Sequence, residues 1–198
     1  MNDQSDFKGI RIGMWLFLYS EIILFGGLFV LYAVYFHKYP GDFASGGHQL
    51  DKIIGTINTL ILLISSFTVA ASITAIREKR KILSLGLIAF SFFCGVVFLI
   101  NKYFEWGHKF HNDIFPNSET LVDGPVGENI FFGLYYVITG LHGLHVIIGM
   151  TLLAVSFFFV LFGKVHAGRF AMLENSGLYW HLVDLIWIFV FPLFYLVL

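Results

Sequence analysis

Charge is scarce in this chain. Of its 198 residues only 13% are Asp, Glu, Lys or Arg, against about 25% in a soluble domain, which excludes an ordinary aqueous globule. The formal net charge of −1 leaves no basic field to gather phosphates, so nucleic-acid binding has no electrostatic basis. There is one cysteine, Cys94. It sits in an apolar run, forms no intrachain disulfide and reads as a small buried apolar residue. No cysteine cluster and no His-x-x-x-His pair is present, so a zinc or copper site lacks a ligand set. Gly-rich phosphate loops and a nucleophile elbow are also missing. The apolar runs do not alternate with polar residues, which excludes a transmembrane barrel. The polar start, MNDQSDFKGIR, precedes a run too long for a signal h-region and does not match a cleavable signal.

What is present is apolar mass. Hydrophobic residues make up 58% of the chain and aromatic ones 19%, with 24 Phe and 9 Tyr; mean hydropathy is +0.80. Spanning a bilayer takes about 20 apolar residues per helix, and five runs meet that length, at roughly 12–36, 53–76, 82–103, 129–162 and 177–198. The prediction is an all-α integral membrane protein whose residues 1–198 form one transmembrane helical-bundle domain. The fourth run exceeds the hydrocarbon thickness and is expected to tilt or protrude. Arg77, Lys79, Arg80 and Lys81 crowd one short connection. Lys8, Arg11, Lys164 and Arg169 fall on the same side, and Lys38, Lys52, Lys102 and Lys109 on the other. The positive-inside rule then predicts a cytoplasmic N-terminus and an external C-terminus. The segment 104–128, with Trp106, His108 and His111, is expected to form a long outer loop capping the helix ends or docking a partner. Trp106 and Trp180 lie near predicted interfaces, as aromatic anchors do.

Ionisable groups at bilayer depth are costly, by about 2.5–3.5 kcal/mol each on insertion scales, and so mark candidate functional positions. Glu21 lies inside the first run; His181 and Asp184 share a face of the fifth through their i, i+3 spacing. These three meet at similar depth if the first and fifth helices pack together. A packing cluster, a lipid or water site and a proton relay all fit that arrangement. His142 and His145 share a face of the fourth run. Bis-histidine haem ligation needs partners on different helices at matched depth, and the first three runs hold no histidine well inside the span. Gly140, Gly143 and Gly149 flank the pair, so close helix packing with His hydrogen bonds explains them better. Asn58, Thr59, Ser65 and Ser66 form a polar stripe on the second run, suited to bonds with their own backbone or with neighbouring helices.

Five segments in order carry a resemblance: WLFLYSEIILFGGLF around Glu21, INTLILLISS with Asn58, FEWGH with Glu105 and Trp106, TGLHGLHVIIG with His142 and His145, and YWHLVDLIWIFVF with Trp180, His181 and Asp184. Together they resemble subunit III of the haem-copper oxidases, the cytochrome c oxidase and quinol oxidase subunit III family. The likeness runs from about residue 11 to the end; TGLHGLHVIIG and YWHLVDLIWIFVF are its most specific pieces. It implies a non-catalytic subunit of a proton-pumping terminal oxidase in aerobic respiratory electron transport, of the cytochrome c type by preference. Such a subunit carries no redox centre or metal. It packs beside catalytic subunit I and other respiratory-complex subunits, which hold the haem and copper, and it binds membrane phospholipid in a cleft while supporting proton uptake. Glu21 then corresponds to the family's intramembrane carboxylate, and His181 with Asp184 to the polar face of the last helix. Asn58, Glu105, Trp106, His142, His145, Glu174 and Trp180 match positions of helix packing or lipid-cleft structure. Longer members carry two more N-terminal helices than this sequence shows, so part of the cleft is expected to be open or covered by another subunit. The resemblance also implies a bacterial-type cytoplasmic membrane. A haem-bearing membrane anchor of another respiratory complex and a small proton or solute transporter are the competing readings.

Overall fold

The computed structural model describes residues 3–168 and 170–196. Arg169, counted above among the basic loop residues, lies outside the described residues, as do the side chains of Lys8 and Arg11. The elements in order are α1 (Asp3–Lys38), α2 (Pro40–His48), α3 (Lys52–Arg77), α4 (Lys81–His111), α5 (Glu119–Val122), α6 (Val126–Leu161) and α7 (Ala171–Phe191), which continues into a π-helical turn, Pro192–Leu196. Among the described residues, five helices are long and apolar enough to cross a membrane: Ile12–Lys38, Lys52–Arg77, Lys81–His111, Val126–Leu161 and Ala171–Leu196. The chain is an all-helical integral membrane protein.

The helix ends follow local chemistry. Asp51 caps α3 by accepting from the amides of Ile53 and Ile54 at 2.9 and 3.1 Å, which satisfies two donors that a helix N-terminus leaves free. Pro40 occupies the first position of α2, where its missing N–H costs nothing. At Pro192 the ring cannot supply the regular helical donor, and the helix widens to the π turn instead of stopping.

Several boundaries differ from the sequence expectation. The segment 104–128 is not one loop: α4 runs on to His111 and the short α5 follows. A hydropathy count stops at the charged stretch after residue 103. Inside the bundle, however, Lys102, Glu105 and Lys109 are buried and bonded to one another or to neighbouring groups, so the helix carries its charges without needing water. Lys102 and Lys109 are therefore not loop residues. Similarly, α7 begins at Ala171, which places Glu174 on its first turn. The last span, expected to start at residue 177, also ends its described part at Leu196.

α3 and α4 pair closely, while α7 packs on both α3 and α6, and α6 also meets α4. α7 thus sits at the centre, and Trp180 and Trp187 are both buried on it. Trp180 is no interface anchor: its indole N–H donates to Ser65 Oγ at 3.0 Å, and its ring lies where Cβ atoms at Gly95 and Gly149 would stand, 3.0 and 2.8 Å from ring carbons. Only glycine leaves room for that ring between α4 and α6. α1 is the peripheral helix, touching α6, α7 and α2 and presenting Trp15, Leu16, Tyr19, Ile23 and Val30 outward. A large exposed apolar face of this kind suits hydrocarbon or a neighbouring subunit.

Candidate functional site

The polar stripe of α3 bonds outward to other helices at every step. Asn58 Oδ1 accepts from Asn101 Nδ2 of α4 at 2.8 Å. Thr59 Oγ1 accepts from the Trp187 indole at 3.0 Å, Ser65 Oγ from that of Trp180, and Ser66 Oγ lies 2.6 Å from His181 Nδ1. Each small hydroxyl or amide satisfies a polar atom that the core would otherwise strand, a loss of about 1–3 kcal/mol apiece. Ser156 and Ser176 join α6 to α7 in the same way, 2.9 Å apart.

The structure divides the expected cluster of Glu21, His181 and Asp184. Glu21 Oε2 stands 2.8 Å from His145 Nε2, and among the described residues no hydrogen bond joins it to His181 or Asp184. The span on α1 starts at Ile12 as expected, but that on α7 starts at Ala171 rather than 177, so His181 and Asp184 lie further along their span than the sequence count gave. α1 begins at Asp3, so Glu21 lies midway along it, level with His145 midway along α6. The proton inventory of this pair follows from its second partner. His145 Nδ1 lies 2.7 Å from the Leu141 carbonyl, which can only accept, so Nδ1 carries a hydrogen. The Nε2···Oε2 contact then holds one further proton, on either the ring or the carboxyl. Both arrangements are net neutral, and a neutral pair avoids the penalty of an isolated charge at bilayer depth. Phe25 meets the His145 ring edge-on at 5.3 Å and Tyr179 stacks on it at 6.4 Å.

His181 and Asp184 lie on α7 beside Ser66. His181 lines a small recess with Ile73, Arg77, Glu174, Asn175 and Leu178, and Arg77 donates to Glu174 at its edge. Asp184 is buried, and its Oδ1 has no hydrogen-bond partner among the described residues. His142 is fully buried with both ring nitrogens unpartnered, between Phe98 at 5.6 Å and Trp187 at 5.0 Å. Trp106 packs edge-on to Tyr136 at 5.1 Å, and its indole nitrogen is unpartnered.

A second polar centre was not anticipated from sequence. Lys102 Nζ donates to Glu105 Oε2 at 3.0 Å, to Tyr195 Oη at 2.8 Å and to Tyr135 Oη at 3.3 Å. Both tyrosines donate to Glu105 Oε1 at 2.7 Å. The ammonium also lies 5.0 Å from the Trp187 ring centroid. All three N–H bonds of Lys102 and both carboxylate oxygens of Glu105 are engaged, as a buried ion pair requires. Lys and Glu three apart on a helix were the visible signal; nothing local marks Tyr135 or Tyr195 as their partners.

Among the described residues, no three of His, Cys, Asp and Glu converge as a metal-binding group. What the site residues do in the structure is join helices: Glu21 to His145, Ser66 to His181, Asn58 to Asn101 and Ser156 to Ser176.

Comparison with known proteins gives the family. The profile described as cytochrome c oxidase subunit III matches residues 3–197. A haem-copper oxidase subunit I+III of Aeropyrum pernix is 33% identical over 95% of this chain, which spans 23% of that fused protein. Cytochrome c oxidase subunit 3 of Synechocystis sp. is 30% identical, with 93% of this chain and 74% of the relative covered. Cytochrome bo(3) ubiquinol oxidase subunit 3 of Pseudomonas putida is likewise 30% identical, over 93% and 84%. With a match across nearly all of its length, and five spans threaded by the motifs read above, this chain belongs to the cytochrome c oxidase subunit III family.

Proposed function

We propose that this chain is the non-catalytic third subunit of a proton-pumping terminal oxidase, of the cytochrome c type by preference. It stabilises catalytic subunit I, binds membrane phospholipid and sustains proton uptake. The N-terminus faces the cytoplasm and the C-terminus the outside, in a bacterial-type cytoplasmic membrane. Haem and copper belong to the partner subunits, and this chain carries neither. The observation behind the reading is the full-length family match. Support for a subunit I partner comes from the Aeropyrum relative, whose name joins subunits I and III in one chain.

Within this reading, the neutral Glu21–His145 pair and the Ser66–His181–Asp184 group are the proton- or lipid-related positions. Asn58, Glu105, Trp106, His142, Glu174 and Trp180 serve helix packing. The outward apolar face of α1 meets lipid or another subunit. Deleting the chain from its host oxidase tests the reading. The remaining complex should keep its haem spectrum and initial turnover while its catalytic lifetime shortens. Unchanged lifetime and unchanged proton uptake would contradict it.

A further inference from the structure

At one end of the bundle α3 stops at Arg77 and α4 starts at Lys81, whose ammonium reaches the last carbonyl of α6, and beside them lies a pocket of about 340 Å³. Ile76 and Val165, both buried, supply its apolar wall. Lys79, Lys81 and His166 supply its polar groups.

The basic connection Arg77–Lys81 divides into two kinds of charge. Arg77 is paired with Glu174 and stacked over Phe170, and Arg80 is paired with Glu78 at 3.4 Å. Lys79 and Lys81 alternate with them and have no carboxylate partner among the described residues. Both line the pocket. Lys81 spends one N–H on the Leu161 carbonyl at 2.9 Å, which leaves two. Lys79 holds a left-handed backbone, φ 62°, an uncommon conformation for a side-chain-bearing residue, and its amide bonds the Ile76 carbonyl at 3.0 Å. On the opposite wall His166 Nδ1 accepts from the Gly168 amide at 3.2 Å, so Nε2 carries the hydrogen of the neutral ring and is a further donor. The nearby cation of Lys164 lies over the Phe159 ring instead. Among the described residues, no acid lines the pocket.

We propose that this pocket binds the phosphate of an anionic phospholipid headgroup, with Lys79, Lys81 and His166 as donors and Ile76 and Val165 against the glycerol. The lipid source is favoured over a free phosphate because the pocket is lined by residues next to the ends of three apolar spans, those ending at Arg77 and Leu161 and that beginning at Lys81, and because an apolar wall serves a glycerol but not a bare anion. The site is separate from the intramembrane polar groups. It requires a membrane-spanning chain but not the oxidase assignment.

The test is native mass spectrometry of the full-length chain in zwitterionic detergent, titrated with phosphatidylglycerol and, separately, phosphatidylcholine. Phosphatidylglycerol should bind saturably and in preference. The double variant Lys79→Gln with Lys81→Gln should weaken it about 25-fold, and Lys79→Gln alone about five-fold. The charge-matched control, Arg80→Gln with Lys164→Gln, should weaken it less than three-fold, because neither residue lines the pocket. Equal losses in the two double variants would overturn the site in favour of diffuse attraction to a basic surface. Undiminished binding in the lysine variants would overturn it outright. Displacement of the lipid by millimolar inorganic phosphate would overturn the lipid source.

Discussion

Glu21 Oε2 and His145 Nε2 stand 2.8 Å apart and tie the peripheral helix α1 to α6. Because His145 Nδ1 is committed to the Leu141 carbonyl, the pair holds one shared proton and no net charge. Removing the carboxyl should therefore strand a buried imidazole nitrogen, whereas an amide should still donate to it. Glu21→Ala is expected to lose about 1–3 kcal/mol of stability, and Glu21→Gln well under half of that. Thermal denaturation of the variants in one detergent measures both. Equal losses would contradict the shared-proton account. The loss should be accompanied by faster proteolysis of α1, since this helix has few other attachments to the bundle.

The Lys102–Glu105 pair calls for a double-mutant cycle. Its side chains are only 10% and 3% exposed, so each charge depends on the other. Lys102→Met leaves a buried carboxylate without its cation and should cost about 3–5 kcal/mol. Adding Glu105→Gln should recover much of that loss, because Tyr135 and Tyr195 can still donate to the amide oxygen. Chemical denaturation of the two single variants and the double variant gives the coupling, and additive losses would show that the pair is not a unit.

Two glycines on α6 should respond in opposite ways. A Cβ at Gly149 would stand 2.8 Å from the Trp180 ring, whereas one at Gly143 meets nothing within 4 Å. Gly149→Ala is expected to destabilise by about 1–3 kcal/mol through overpacking. Gly143→Ala should be neutral, or stabilising by up to about 1 kcal/mol through helix propensity. Melting temperatures of the two variants decide the matter, and a matched fall in both would count against the packing described for Trp180.

The sequence made the membrane class and the number of spans legible because hydrocarbon imposes a length and a composition that five runs satisfy. It marked Glu21, His142, His145, His181 and Asp184 for the same reason: each violates that composition. The partners were not legible. Which helix faces Glu21 depends on how α1 packs against the bundle, and no local pattern in the sequence pairs it with His145 of α6. Lys102 and Lys109 read as loop charges because hydropathy scores a residue alone. In the bundle, Glu105, two tyrosine hydroxyls and the Gln49 carbonyl surround them. Trp180 read as an interface residue for a similar reason, since only tertiary structure reveals the space opposite Gly95 and Gly149.

The central claim is that this chain is a subunit without a redox centre of its own, held beside one that has it. Affinity purification of the tagged chain from native membranes, with optical spectra of the intact complex and of the chain after dissociation, tests it most directly. The account predicts copurification with a haem-containing catalytic subunit in equal amount and a Soret band that stays with that partner. A stoichiometric Soret band on the isolated chain, or purification free of any haem protein, would contradict it.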